Sequence, residues 1–178
     1  MPILNQLRRD HANMTRLLGV LQHRQRALAG GERPDFRLMR EVVDYILDYM
    51  QGFTVPLERI CCDQLLAQVP EGQELSERLA SDYRALHERL LRLSHDLDTI
   101  LKDSVVPMER FADDLQAYLD AHRTYLCDER DRLFPLLGPH LEAADLEHLA
   151  EMLPEGITTR LVSLQETYPQ LYAELRYP

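Results

Sequence analysis

Leu4-Asn5-Gln6-Leu7-Arg8-Arg9-Asp10-His11-Ala12-Asn13-Met14-Thr15-Arg16-Leu17-Leu18-Gly19-Val20-Leu21 is the stretch that decides the fold. Its inward candidates, Leu4, Leu7, His11, Met14, Leu18 and Leu21, follow alternating steps of three and four. Such spacing places them on one stripe of an α-helix, since side chains three and four apart share a face. A strand would need alternation by two, and none is present. One histidine therefore lies within an apolar stripe. The helix is expected to stop at Ala29-Gly30-Gly31-Glu32-Arg33-Pro34, where glycine ends it and proline prevents continuation.

Three further segments repeat the pattern. Asp35 is the expected N-cap of a second helix that turns Met39, Val43, Ile46, Met50, Phe53 and Leu57 inward. Pro56 lies inside this run, so a kink is expected near Gly52-Phe53, with the helix resuming through Leu65 and stopping around Val69-Pro70-Glu71-Gly72. A third helix is expected from about residue 75 to Lys102, with Leu79, Tyr83, Leu86, Leu90, Leu93, Leu97 and Ile100 on its inner side. The fourth follows Pro107 and carries Phe111, Leu115, Tyr118, His122, Tyr125, Glu129 and Leu133, ending at Phe134-Pro135 and Gly138-Pro139. Shorter helices are expected over 143–152 and 158–166, with a last turn over 170–175. The expectation is an all-α, antiparallel up-down-up-down four-helix bundle over about 3–136. A C-terminal helical extension over about 140–178 completes a single domain.

Composition narrows the function classes. The chain has 178 residues, a net charge of -10, 45% hydrophobic residues and no Trp. An acidic surface without a Lys/Arg run repels phosphate backbones and anionic lipid, so nucleic acid and membrane surfaces are not expected partners. Neither an apolar run long enough to span a bilayer nor a leader pattern is visible, which makes the cytoplasm the expected location. Cys61, Cys62 and Cys127 are an odd, sparse set without C-x-x-C spacing, read as reduced thiols. With no nucleophile motif or Gly-rich phosphate loop, an enzyme is not expected.

Polar residues on inward stripes carry the chemistry, because burying them unpaired is costly. Helix one offers His11, helix two Glu58, helix three His87, and helix four Tyr125 with Glu129. Each alone reads as a satisfied core residue. Together they come from four helices whose middles lie at one level, and carboxylate with imidazole suits iron or manganese.

These residues stand in recognisable motifs: Leu7-Arg8-Arg9-Asp10-His11, Tyr49-Met50-Gln51-Gly52-Phe53-Thr54-Val55-Pro56-Leu57-Glu58, His87-Glu88-Arg89-Leu90, and Tyr125-Leu126-Cys127-Asp128-Glu129 leading to Leu133-Phe134-Pro135-Leu136. The chain resembles the bacterial hemerythrin-like (HHE cation-binding) proteins over nearly its whole length. The resemblance implies a two-iron site held by a helix-one His, two H-x-x-x-E pairs and a helix-three His, with the glutamates bridging. His11, Glu58, His87 and Glu129 match that set, whereas Thr54 and Tyr125 stand where two histidines belong. In the family pattern His11 and position 125 share one metal, position 54 and His87 the other. Thr is a poor ligand, which puts the second metal in doubt. Tyr125 can serve ferric iron as a phenolate, giving a one-ion site with His11, Glu58 and Glu129, or it can fill space with its hydroxyl on a glutamate. Both readings stand open.

His122 lies on the same face seven residues before Glu129, about 10 Å along the axis at 1.5 Å per residue, and reads as structural. Cys62 reads as an apolar filler. The resemblance implies an iron-binding protein that senses or responds to oxygen, nitric oxide or oxidative stress through a small diatomic ligand. The competing expectation is a metal-free helical interaction module, with the C-terminal Tyr168, Leu171, Tyr172 and Tyr177 serving a partner or a homodimer.

Overall fold

The computed structural model describes residues 2–143, with residues 151, 168 and 171 beyond them. Its elements are α1 (Pro2–Ala29), α2 (Phe36–Tyr49), α3 (Val55–Leu65), α4 (Pro70–Leu101), α5 (Met108–Asp128) and α6 (Phe134–Ala143). A single π turn, Met50–Thr54, joins α2 to α3, and another, Glu129–Leu133, joins α5 to α6. Four rods result, because each joined pair is one helix with a widened turn in it. α1 packs on α2 and α5, and α4 on α2 and α5, closing a four-membered ring. This is the expected all-α bundle.

Local sequence explains the ends. Asp35 accepts from the backbone N–H of Arg37 and Leu38, both at 3.1 Å, capping α2. After α1, Gly31 has φ 82, and the N–H of Glu32 returns to Ala27 O at 2.9 Å, satisfying carbonyls the helix end leaves free. Asp103, with φ 58, does the same after α4. The inward stripes bury as the spacing dictates: Leu17, Leu21, Val43, Ile46, Leu97, Phe111, Leu115, Tyr118 and Leu133 are wholly covered. Axial register is fixed by polar ties between rods. Gln22 donates to Gln116 at 2.9 Å, Ser94 to Asp44 at 2.8 Å, and Arg110 pairs with Asp96 at 3.3 Å.

Three boundaries differ from the sequence expectation. The kink expected at Gly52-Phe53 is a π turn, in which Val55 N–H bonds to Met50 O just before Pro56. Proline has no N–H and its ring clashes with the carbonyl four residues back; one extra residue in the turn removes that conflict. The fourth rod does not end at Phe134-Pro135. Phe134 N–H bonds to Glu129 O in the same π geometry, and the helix continues to Ala143 past Pro135 and the exposed Pro139. The third rod begins at Pro70 rather than near residue 75, since proline suits a helix's first turn. There Gly72 lets the chain pass close: a Cβ would lie 2.6 Å from Leu66 Cβ.

The expected helices over 143–152 and 158–166 and the turn over 170–175 fall, apart from residues 143, 151 and 171, outside the described residues. Tyr168 donates to Asp48 at 2.7 Å and Leu171 is buried, its N–H on Glu41 at 3.3 Å, so both described positions lie on α2. No described helix is long and apolar enough to cross a membrane.

Candidate metal centre

Each π turn carries one half of the centre. Glu58 follows the first, two residues after Pro56, and Glu129 opens the second. The two carboxyls meet in the bundle interior, both almost fully buried. Tyr125, one turn before Glu129 on α5, donates its hydroxyl to Glu58 Oε2 at 2.5 Å. His11 of α1 closes the row, its Nδ1 3.6 Å from Glu129 Oε1. Tyr125, Glu58, Glu129 and His11 therefore form one contiguous run of donors from three rods.

Electrostatics follow from burial. Desolvation pushes Glu129 up to about 7, with Asp10's charge adding and Glu58's hydrogen bond opposing. Glu58 is pushed well above the carboxylate range by burial first and by Glu129's charge second. At neutral pH the pair therefore holds a proton between them, with Glu58 its better seat. Tyr125 is held well above its ordinary value by burial and then by the two glutamates, so its phenol is neutral without a cation. His11 is lowered, by burial first and by Arg130's charge second.

A cavity of about 10 Å³ opens beside His11 and Glu129. Leu7, Met14, Met50 and Leu126 wall it, and Asp10 and Thr54 also face it. That is room for about one water-sized molecule. Thr54 thus turns toward His11 and Glu129, with its smaller side chain where the family pattern has an imidazole. His87 does not join it. His87 lies half-buried on the α3–α4 face beside Tyr83, at 5.8 Å between ring centres, in a groove with Arg59 and Arg84. The structure thus brings together His11, Glu58, Tyr125 and Glu129, and leaves His87 in a separate space from Thr54.

The donor set fits one cation. Three oxygen donors and one nitrogen suit a hard trivalent or divalent ion, and Glu58 Oε1 and His11 Nδ1 are buried without a well-formed hydrogen bond. Among the described residues no three His, Cys, Asp or Glu side chains converge on one point as they stand. The Tyr125 hydroxyl donates to Glu58 Oε2, and burial raises both glutamates enough to favour a proton between them. A cation would displace both protons. His87 and Thr54, the positions the family pattern assigns to a second ion, line different spaces, and Thr54 offers only a neutral hydroxyl.

With this geometry in place, the comparison with known families is decisive: the sequence model of the hemerythrin HHE cation binding domain matches residues 3–137. The chain belongs to that family. No curated protein and no solved structure matches it. Family membership makes it a metal-binding domain in kind, and residues 3–137 span α1 through the first turn of α6, both π turns included.

Three further residues bear on the centre. Asp10 is buried, accepts from Gln6 at 2.9 Å, lies beside the Tyr49 hydroxyl and is pushed up to about 6 by burial. The Asp10-His11 and Tyr49 positions of the motifs were the available signal, but spacing alone gave them no role. His122 is wholly buried, bonded through Nδ1 to the Tyr118 hydroxyl at 2.6 Å, and its ring abuts Tyr125 at 6.2 Å. Its Nε2 is unpartnered, and burial with His11's charge lowers it to about 3, so it is neutral. Cys62 is buried and its thiol pushed up to about 11, consistent with a filler rather than a thiolate ligand.

Proposed function

We propose that the chain binds one iron ion through His11, Glu58, Glu129 and Tyr125, and acts in the cytoplasm as a binding or sensing protein for a small diatomic ligand rather than as an enzyme. The contiguous Tyr125–Glu58–Glu129–His11 run carries this reading: three buried oxygen donors and the partly buried His11 from three rods, with Glu58 Oε1 and His11 Nδ1 lacking a hydrogen-bond partner. Manganese satisfies the same carboxylates, but phenolate favours ferric iron among the candidates. Iron so held supplies a one-electron couple and an affinity for diatomic ligands.

The protein's own residues do the rest. Glu58, Glu129 and Tyr125 would hold the cation in deprotonated form, so binding would release their protons and strengthen as pH rises. His11 supplies the neutral nitrogen, its burial disfavouring protonation. Leu7, Met14, Met50 and Leu126 give the cavity beside His11 and Glu129 an apolar lining, and its size suits a small molecule about the size of water.

A phenolate-to-ferric charge-transfer band tests the assignment. Iron-loaded wild type shows the band, and Tyr125→Phe loses it while keeping the fold. An unchanged band in that variant removes Tyr125 from the ligand set. One observation favours a second reading, a metal-free interaction module: Tyr125 already satisfies Glu58 Oε2. That reading requires iron-supplemented protein to carry no metal.

A further inference from the structure

The groove between α3 and α4 lies outside the centre and has its own chemistry. It measures about 480 Å³, within the several-hundred-Å³ range of small-molecule sites. One wall is apolar, formed by Val55 and Pro56 of α3 with the Tyr83 ring of α4 opposite. Arg59 and Arg84 bring guanidinium donors to the same space, and His87 lines it. Neither guanidinium has a hydrogen-bond or ion-pair partner among the described residues, unlike Arg40, Arg78 and Arg110, each paired to a carboxylate. Glu88 on the rim offsets one of the two fixed positive charges and leaves an excess.

We propose that this groove binds a small organic monocarboxylate. Two guanidiniums present the planar forks that match a carboxylate, and the apolar wall takes an aliphatic or aromatic body. The long-range field of a chain at -10 repels anions, so recognition rests on these contacts and not on steering. An open, charged mouth with an apolar wall suits a short carboxylic acid better than inorganic phosphate, which has no apolar part.

The two arginines that carry the proposal lie outside the Tyr125–Glu58–Glu129–His11 run, so the full chain serves with or without metal. Hexanoate is titrated while the Val55 methyl and Tyr83 ring resonances are followed, with hexanol, hexylammonium and inorganic phosphate in parallel. Expected is saturable hexanoate binding that shifts both residues, weakened about tenfold in Arg59→Gln or Arg84→Gln and unchanged in the distant Arg37→Gln. Hexanol and hexylammonium bind far more weakly. Three results overturn the proposal: no saturable hexanoate binding, equal binding in the arginine variants, or phosphate binding as tightly as hexanoate. Both arginines are exposed, so their replacement leaves folding intact.

Discussion

Replacing Glu129 by Gln in chelator-treated protein should make the bundle relatively more stable as pH rises. Glu129 titrates at about 7 in the folded chain against an ordinary 4.5, with burial as the first cause. A carboxyl raised by folding keeps its proton in the native state while the unfolded chain has lost it. Stability is then full below 4.5 and declines as pH climbs toward 7. At about 1.4 kcal/mol per pH unit, this group alone withdraws about 3 kcal/mol across that window. Gln keeps the shape and cannot ionise. Lowered His11 and His122 and raised Asp10 and Glu58 also slope the absolute curves, so the informative quantity is the difference between variant and wild type. Urea unfolding at several pH values between 4.5 and 8 gives that difference directly. It should move by about 3 kcal/mol in the variant's favour between the ends of the range. A flat difference would refute the buried, proton-sharing pair.

Tyr125→Phe in metal-free protein leaves Glu58 Oε2 without its donor and should cost about 1–3 kcal/mol, read as a lower urea midpoint. His122 is lowered by folding, so its contribution is present above pH 6.5 and lost as pH falls toward about 3. His122→Leu should therefore resist acid better than wild type, the gap growing by up to about 4–5 kcal/mol; equal acid unfolding would contradict the buried neutral ring. Asp35→Ala removes the α2 cap and should lower stability by about 1 kcal/mol in the same assay.

The fold was legible because one rule governs it. Steps of three and four set Leu4 through Leu21, Met39 through Leu57 and Phe111 through Leu133 facing inward, and Asp35 and Gly30-Gly31 marked ends by local chemistry. Pro56 and Pro135 were legible as irregularities but not in form. A proline says only that the α-helical bond four residues back must go; packing decides whether the rod breaks or widens into a π turn, and here both rods widen. For the centre, His11, Glu58, Tyr125 and Glu129 could be named from motif positions, because an antiparallel bundle levels the middles of its helices. The placement of His87 could not. Its stripe on α4 fits either the interior or the α3 side, and the choice depends on how far α3 stands from α4, a tertiary distance. A hydroxyl of Tyr125 on one of the two glutamates was among the readings left open; that it is Glu58 rests on a rotamer and on the widened turn beside Glu129.

The count of metal ions per chain tests the central claim most directly. Protein produced in iron-supplemented medium, freed of loosely held metal and assayed for iron and manganese, should carry one iron per chain, and Glu58→Gln and Glu129→Gln should each lose most of it. Two irons per chain would place His87 and position 54 back in a working second site, and no bound metal would leave the buried carboxylates to their shared proton; either result contradicts the account.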